Sequence, residues 1–353
     1  MNRKIPPRGR GAVGNVPCRF DAATREPLDD SWDSAGAPGV PATSVTAEPA
    51  RTIIARNRSP DIPFEQSINP YRGCEHGCIY CYARPSHAYL GLSPGLDFES
   101  RLWVKPDAAR LLEKELVRPG YRCSPIALGT NTDPYQPIER EWKITRQILE
   151  VLLRFRHPVT ITTKSALIER DLDLLREMAR ETLVHVHVSI PTLDPDLARR
   201  LEPRATAPRR RLGTIGILAS AGIPVAVMVA PVIPWLTDSE LERIVALAAE
   251  RGARSAAYIL LRLPLEVKTL FREWLDAHFP LKAEHTLHLV EAAHGGRLYD
   301  SRFGFRQTGT GSYAELLGKR FRLAMKRHAL STTLGELDTR RFSRGQPRQM
   351  ELF

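Results

Sequence analysis

The chain has 353 residues, enough for one large α/β domain with appendages or two modest domains. Its formal net charge of +11 favours an anionic partner, nucleic acid first, set against the plainer reading of a solvated basic surface. Five cysteines, three of them crowded together, suggest no disulfide framework. With neither a membrane-length apolar run nor a secretory-type leader, a cytoplasmic protein is expected.

Residues 1–50 are rich in Gly, Pro, Ala and Arg and poor in large apolar side chains, so composition predicts a disordered arm in which Asp29-Asp30-Ser31-Trp32 is at most a weak anchor. A core domain is expected over 51–263. Cys74, Cys78 and Cys81 then form a CxxxCxxC run. Three thiolates in one short loop suit three irons of a [4Fe–4S] cluster with the fourth iron left open. Spacing alone leaves open a Cys3His zinc site completed by His76, or thiols that merely share a loop.

Beyond the loop, apolar β-rich runs alternate with amphipathic helical patterns. Strands are predicted over Pro125–Asn131, Val159–Thr163, Val184–Ile190, Pro224–Ala230 and Ala256–Leu263. Helices are predicted over Trp142–Phe155, with Ile144, Ile148, Val151, Leu152 and Phe155 on one face, and over Ser239–Arg251, with Thr237 or Asp238 at its start and Gly252 at its end. Such alternation predicts a parallel sheet covered by helices, whose ligands gather at the carboxyl ends of the strands. A helical C-terminal region is expected over 264–335, from segments Leu265–His278, Ala283–Ala293 and Tyr313–Leu330, and a flexible tail over 336–353. Gly309-Thr-Gly-Ser-Tyr-Ala314 reads as a turn and cap, with a phosphate cradle as the sharper alternative. His185 and His187 share one face of a strand and suit packing or a substrate-facing role.

The string INPYRGCEHGCIYCYARPSHAYLGLSPGLDFE resembles the radical S-adenosylmethionine (SAM) superfamily, in its spore photoproduct lyase-related, SplB-like branch, and there the PA0069-like group. LGTNTDPYQPIE, TKSALIERDLDLL, EPRATAPRRRL, APVIPWLTDSE and LLRLPLEV extend the likeness from about Pro60 to the C-terminus. The resemblance implies a partial (β/α)6 TIM-like barrel whose first strand lies near Asn69–Tyr71. It further implies a [4Fe–4S] cluster on Cys74, Cys78 and Cys81, and SAM cleaved reductively to methionine and a 5′-deoxyadenosyl radical that takes hydrogen from a substrate. A reductant such as a flavodoxin or ferredoxin would be a partner.

By the same resemblance Tyr80 lies by the SAM adenine, Asn131 and Asp133 receive the amino group, and Lys164 suits the carboxylate. Ser189 lies near the ribose, Glu202 and Arg204 meet the ribose hydroxyls or the carboxylate, and Val232 and Ile233 wall the adenine. For each, a purely structural reading stands beside it: Asn131 and Asp133 are good turn residues and Lys164 suits a solvated surface. Trp235 stands where the family pattern has glycine. The lyase also relies on a further cysteine near the end of the second strand as hydrogen donor, and Leu128-Gly-Thr-Asn-Thr-Asp133 has none; Cys123 lies too early. Thymine-dimer reversal is therefore not carried over, and Tyr82 or another tyrosine is a candidate relay in its place.

The terminal Gln349-Met350-Glu351-Leu352-Phe353 resembles QxxLF peptides that bind the bacterial DNA sliding clamp, with Gln349, Leu352 and Phe353 as contacts. The sequence thus predicts a lyase-like radical SAM enzyme acting on nucleic acid, such as damaged or modified DNA. Its rivals are the same chemistry on a protein or small molecule, and a non-catalytic zinc-stabilised module that binds nucleic acid or the clamp.

Overall fold

The computed structural model describes residues 6–21 and 42–344. Ten strands appear in chain order: β1 (Ser44–Ala47), β2 (Ile54–Arg56), β3 (Gln66–Ile68), β4 (Tyr71–Arg72), β5 (Arg101–Val104), β6 (Ile126–Leu128), β7 (Val159–Thr163), β8 (Val184–Ser189), β9 (Val225–Val232) and β10 (Ser255–Leu260). The main sheet runs β10-β9-β8-β7-β6-β3-β2. All its neighbouring pairs are parallel except β2 against β3. Six parallel strands in sequential order, with helices between them, make the expected partial (β/α)6 barrel. A small sheet, β1-β5-β4, sits beside the cysteine loop.

The strands form where β-branched residues alternate. Val159, Ile161 and Thr163 are buried beneath the helices, while Thr160 and Thr162 point to the other, half-open face. Between β6 and β7, helix Ile144–Arg154 buries Ile144, Ile148, Val151 and Leu152 on one stripe, as its spacing predicts. It starts two residues later than expected because Lys143 adopts φ +50° and separates it from a short helix, Glu139–Trp142. Helix Leu241–Glu250 ends at Gly252, φ +91°, as expected. Its start is not capped by Thr237 or Asp238; Thr237 Oγ1 instead accepts the Ile233 N–H at 2.8 Å.

Other boundaries move for local reasons. The first barrel strand is Gln66–Ile68, earlier than Asn69–Tyr71, because Tyr71 belongs to β4 of the small sheet. β6 stops at Leu128 because Gly129 turns with φ +91°, where a Cβ would lie 2.1 Å from the Thr162 carbonyl oxygen. The C-terminal helices are Val267–His278, Ala283–Ala293 and Gly311–Arg327. Gly309 and Thr310 are a packed turn rather than an open cradle: the Thr310 N–H donates to the Ala293 carbonyl at 2.8 Å.

Two stretches expected to be unstructured are packed. In the first, Arg10, Gly11, Ala12 and Val13 are buried against the cysteine loop, and Ser44–Ala47 joins the small sheet. In the second, the segment after 336 returns to the amino end of the barrel. There the Asp338 N–H donates to the Thr182 carbonyl at 3.0 Å and Phe342 packs on Tyr121 and His157. Composition misses both because their stability comes from long-range partners, not from their own apolar content. Asp29–Trp32 and the Gln349–Phe353 tail lie outside the described residues. Among the described residues no helix is long and apolar enough to cross a membrane.

Candidate active site

The cysteine loop leaves β4 and crosses the carboxyl end of the barrel. Its shape is imposed by two buried charges. Arg84 spends its guanidinium on the loop and its neighbour: Nε donates to the Cys78 carbonyl at 2.8 Å, Nη2 to the Gly77 carbonyl at 3.1 Å, and Nη1 to the Pro94 and Gly95 carbonyls at 3.0 and 2.9 Å. Nη2 also pairs with Glu99, and both side chains are wholly buried. Glu99 in turn accepts the Gly11 and Ala12 N–H groups, each at 2.9 Å. Gly77 turns the loop with φ +67°, and a Cβ on Gly11 would lie 1.8 Å from its carbonyl oxygen. The N-terminal segment therefore lies directly on the back of the loop.

All three loop cysteines are free; Cys74 and Cys78 are buried and Cys81 is half-buried. Burial, with Glu202 next, pushes the Cys78 thiol well above its usual range; the Cys81 and Cys74 sulfurs add to the rise and Lys164 opposes it. Three cysteines in one loop, with the Cys78 and Cys81 thiols pushed up by burial and by neighbouring sulfurs, suit a soft, electron-withdrawing group that takes them as thiolates. His76, the fourth ligand in the zinc reading, lies with Nδ1 3.3 Å from Asp133 Oδ2. Among the described residues no three His, Cys, Asp or Glu side chains converge tightly enough for a single metal ion. The donor set fits a wide cluster better than a mononuclear zinc.

In front of the loop, two strand ends and two helices bring four charged or polar side chains together. Lys164, just past β7, donates from Nζ to Ser189 Oγ at 3.1 Å, at the end of β8. Burial lowers the Lys164 ammonium's proton affinity, but Cys78 and Glu202 more than offset that and hold it charged. Glu202 accepts from Tyr80 Oη and pairs with Arg211, and its Oε1 lies 4.0 Å from Cys78 Sγ. Burial pushes the Glu202 carboxyl up, while Arg211 and Lys164 pull it below the usual carboxylate range. Arg211 also donates to the Ser189 carbonyl at 2.8 Å and the Thr206 carbonyl at 2.6 Å, tying the end of β8 to the Glu202 segment. Ile233 is wholly buried in the apolar cluster that holds Cys78, Ile79 and Tyr80.

The structure thus gathers Tyr80, Lys164, Ser189, Glu202 and Ile233 around Cys78. Three other predicted residues stand differently. Asp133 has its oxygens filled from within: Thr163 Oγ1 at 2.7 Å, the Tyr135 N–H at 2.9 Å and the Lys164 N–H at 2.8 Å, with His76 beside it. It braces the ends of β6 and β7 and is held at about 2, burial being outweighed by His76 and these donors. Arg204 faces outward and pairs with Glu75 at 2.9 Å. Asn131 is exposed, and its N–H donates to Asn69 Oδ1 at 2.8 Å. His185 and His187 lie on the Ser189 face of β8, where burial pushes His185 down to about 4. Arg84, Glu99 and Arg211 were missed, since an arginine or glutamate within a helix or loop carries no sign of a buried partner far along the chain. Trp235 explains its own oddity: it sits at φ +67°, the conformation glycine favours, with its ring edge-on to His285 at 4.7 Å.

The Radical SAM superfamily model matches residues 68–248. The chain belongs to the radical SAM superfamily. Membership makes it a radical SAM enzyme and implies SAM and an iron–sulfur cluster as cofactors. Uncharacterized protein Rv2578c of Mycobacterium tuberculosis (strain ATCC 25618 / H37Rv) is 40% identical over 231 residues, 64% of this chain and 68% of that one. Uncharacterized protein MJ0683 of Methanocaldococcus jannaschii is 27% identical over 213 residues, 60% of this chain and 76% of that one. Among solved structures, spore photoproduct lyase complexed with dinucleoside spore photoproduct superposes with TM-score 0.56 at 17% identity, covering 83% of this chain and 85% of that one. A mutant of that lyase with bound AdoMet and dinucleoside spore photoproduct gives TM-score 0.56 at 16% identity with the same coverage. At such identity the likeness is one of fold.

Proposed function

We propose that this radical SAM enzyme holds a [4Fe–4S] cluster on Cys74, Cys78 and Cys81, binds SAM at Tyr80, Lys164, Ser189, Glu202, Arg211 and Ile233, and acts on nucleic acid. The observation that carries the SAM assignment is the meeting of Lys164, Ser189, Glu202 and Arg211 beside Cys78. When bound, the two cofactors supply reductive cleavage of SAM to methionine and a 5′-deoxyadenosyl radical that takes a hydrogen atom from the substrate.

The chain's own residues position and protect. Lys164 offers a charged ammonium to a carboxylate, with Ser189 Oγ, among the described residues, taking one of its side-chain donors. Glu202, fixed by Arg211 and Tyr80, offers a carboxylate to ammonium or hydroxyl groups. Tyr80 and Ile233 supply an apolar wall suited to a purine ring. Arg84 and Glu99, both wholly buried, hold the loop from behind, Arg84 occupying the Cys78 and Gly77 carbonyls. Asp133 serves here as a brace, with Asn131 and Arg204 at the margin.

The nucleic-acid assignment is supported by the net charge of +11 and by the dinucleoside held by the lyase of like fold. A base acted on at the end of a barrel must leave a duplex stack. Where the lyase pattern has a donor cysteine, this chain puts a phenol: Tyr82 Oη hydrogen-bonds the Thr130 carbonyl just past β6. Tyr82 is 46% exposed, and Arg262 lies 4.7 Å from its ring centroid.

The test is anaerobic reconstitution with iron, sulfide, SAM and a reductant, measuring 5′-deoxyadenosine with and without irradiated or modified DNA. DNA should stimulate cleavage and exchange label with deuterated SAM. Unchanged cleavage and no label transfer would refute the nucleic-acid assignment. Cleavage that survives Cys78→Ala would overturn the cluster assignment.

A further inference from the structure

Next to the barrel mouth, between the helix ending at Ala293 and the one starting at Gly311, lies a cavity of about 420 Å³ lined by His294, Gly295, Arg297, Tyr299, Asp300 and Arg302. Its wall is anchored to the barrel. The Leu260 N–H, at the end of β10, donates to the Gln307 carbonyl at 2.8 Å, and Arg306 clasps Asp61 at 2.7 Å, so the segment spans the open seam between β10 and β2. The cavity is within the size range of small-ligand sites.

Its charge is one-sided. Asp300 is already neutralised by Arg302, whose Nη2 lies 2.6 Å from Oδ2. Arg297 is exposed and makes no ion pair among the described residues. Arg262, which lies over Tyr82 at the mouth, also faces no carboxylate partner among them. His294 is buried, and its Nε2 lies 2.9 Å from the Leu261 carbonyl, which can only accept. The proton therefore sits on Nε2, and Nδ1 is left a buried acceptor with no hydrogen-bond partner among the described residues.

Immediately outside the cavity two phenylalanines stand in solvent, Phe303 at 54% and Phe305 at 45% exposure. Each carries a guanidinium: Arg306 lies 4.9 Å from the Phe303 centroid and Arg302 5.2 Å from that of Phe305. Exposed rings interleaved with arginines, beside a cavity that Arg297 makes cationic, match a strand that offers flat bases and regularly spaced phosphates. An acidic peptide would satisfy Arg297 and leave the two rings bare.

We propose that this cavity and the Phe303–Phe305 strip form a nucleotide subsite for single-stranded nucleic acid, holding the residue that flanks the reacting one. It rests on the nucleic-acid reading of the active site. Arg297 takes a phosphate, Phe303 and Phe305 stack bases, and Tyr82 with Arg262 continues the track to the mouth.

The test is fluorescence anisotropy of a labelled single-stranded oligodeoxynucleotide with the anaerobically reconstituted full chain. Phe303→Ala with Phe305→Ala should weaken binding roughly tenfold or more. Arg297→Glu should weaken it and lower the slope of log affinity against log salt by about 1 or more. Both variants should keep the wild-type melting temperature and the wild-type rate of SAM cleavage without substrate. If the wild-type chain binds no nucleic acid, or binds a polyacidic peptide equally well, the nucleic-acid reading falls and the subsite with it. If the wild type binds but both variants bind equally well, the subsite alone is overturned.

Discussion

Replacing Arg84 by methionine removes the cation at the back of the cysteine loop while keeping most of the side-chain volume. Four carbonyls and one carboxylate lose their donor: those of Gly77, Cys78, Pro94 and Gly95, and Glu99. Stripping one partner from a buried ion pair costs about 3–5 kcal/mol, and each orphaned buried acceptor about 1–3 kcal/mol. Glu99 keeps the Gly11 and Ala12 N–H groups, which moderates the loss. The ion-pair loss alone sets the expected destabilisation at about 4 kcal/mol or more, a large share of the roughly 5–15 kcal/mol available to a domain. The contrast is Arg72 with Glu48 on the small sheet, where the side chains are 44% and 20% exposed. Arg72→Met should cost under about 1 kcal/mol. Urea unfolding of the reduced apo-protein gives both numbers, and iron and sulfide content after reconstitution shows whether the loop still takes its cluster. Arg84→Met should lose both stability and iron, and combining it with Glu99→Gln should cost less than the two single losses added. A loss below about 1 kcal/mol with full iron content would refute the reasoning that this pair shapes the loop.

Three further outcomes follow from the geometry. Gly11→Ala, whose Cβ would lie 1.8 Å from the Gly77 carbonyl oxygen, should lift the N-terminal segment and speed hydrogen exchange at residues 11 and 12 by roughly tenfold or more; unchanged exchange would contradict the docking. His157 is buried, and burial pushes it from 6.5 down to about 4. Its neutral form is thus favoured by folding: the contribution is present above 6.5 and is lost as pH falls toward 4, about 2 kcal/mol between about pH 7 and about pH 5. His157→Gln should flatten that part of the stability profile, and an unaltered slope would exclude His157 as a source. Trp235→Gly trades about 1–2 kcal/mol of left-handed backbone strain against about 1 kcal/mol of ring contact with His285, so stability should change by no more than about 1 kcal/mol. A loss above about 2 kcal/mol would show that the indole does more than cover His285.

The barrel was legible because its signals are local. Val-Thr-Ile-Thr-Thr over 159–163 alternates and folds as it reads, and Lys164 and Ser189 could be placed at neighbouring strand ends because parallel strands present their last residues on one side. The supports of the site were not legible, and Asp133 shows why. A carboxylate at a strand end has the same sequence signature whether it faces a ligand or faces back, and only the Thr163 hydroxyl and Lys164 N–H, some thirty residues on, decide between them. Arg211 is a parallel case: the three consecutive arginines at 209–211 are alike in sequence, yet Arg210 pairs with Glu169 on the surface while Arg211 is buried against Glu202. The N-terminal segment failed for the opposite reason. Its glycines count as entropy in a composition argument, but at Gly11 the absent side chain permits the close approach to Gly77 that anchors the segment.

The distribution of charge separates holding from reacting. Behind the loop, Arg84 and Glu99 neutralise each other and spend their remaining hydrogen bonds on backbone, so that face has no capacity left for a ligand. In front, Arg211 is consumed by Glu202 and the end of β8, but Lys164 retains donors beyond the one given to Ser189. At the mouth, Arg262 lies over the face of Tyr82 and pairs with no carboxylate among the described residues. Unsatisfied positive charge therefore rises from the buried loop toward the opening and continues to Arg297. A polyanion approaching this gradient gains most at the mouth, whereas a neutral substrate gains nothing from it. On that account the salt dependence of substrate-stimulated SAM cleavage separates the two substrate classes: stimulation by nucleic acid should fall steeply as salt rises, and stimulation by a neutral peptide or metabolite should not.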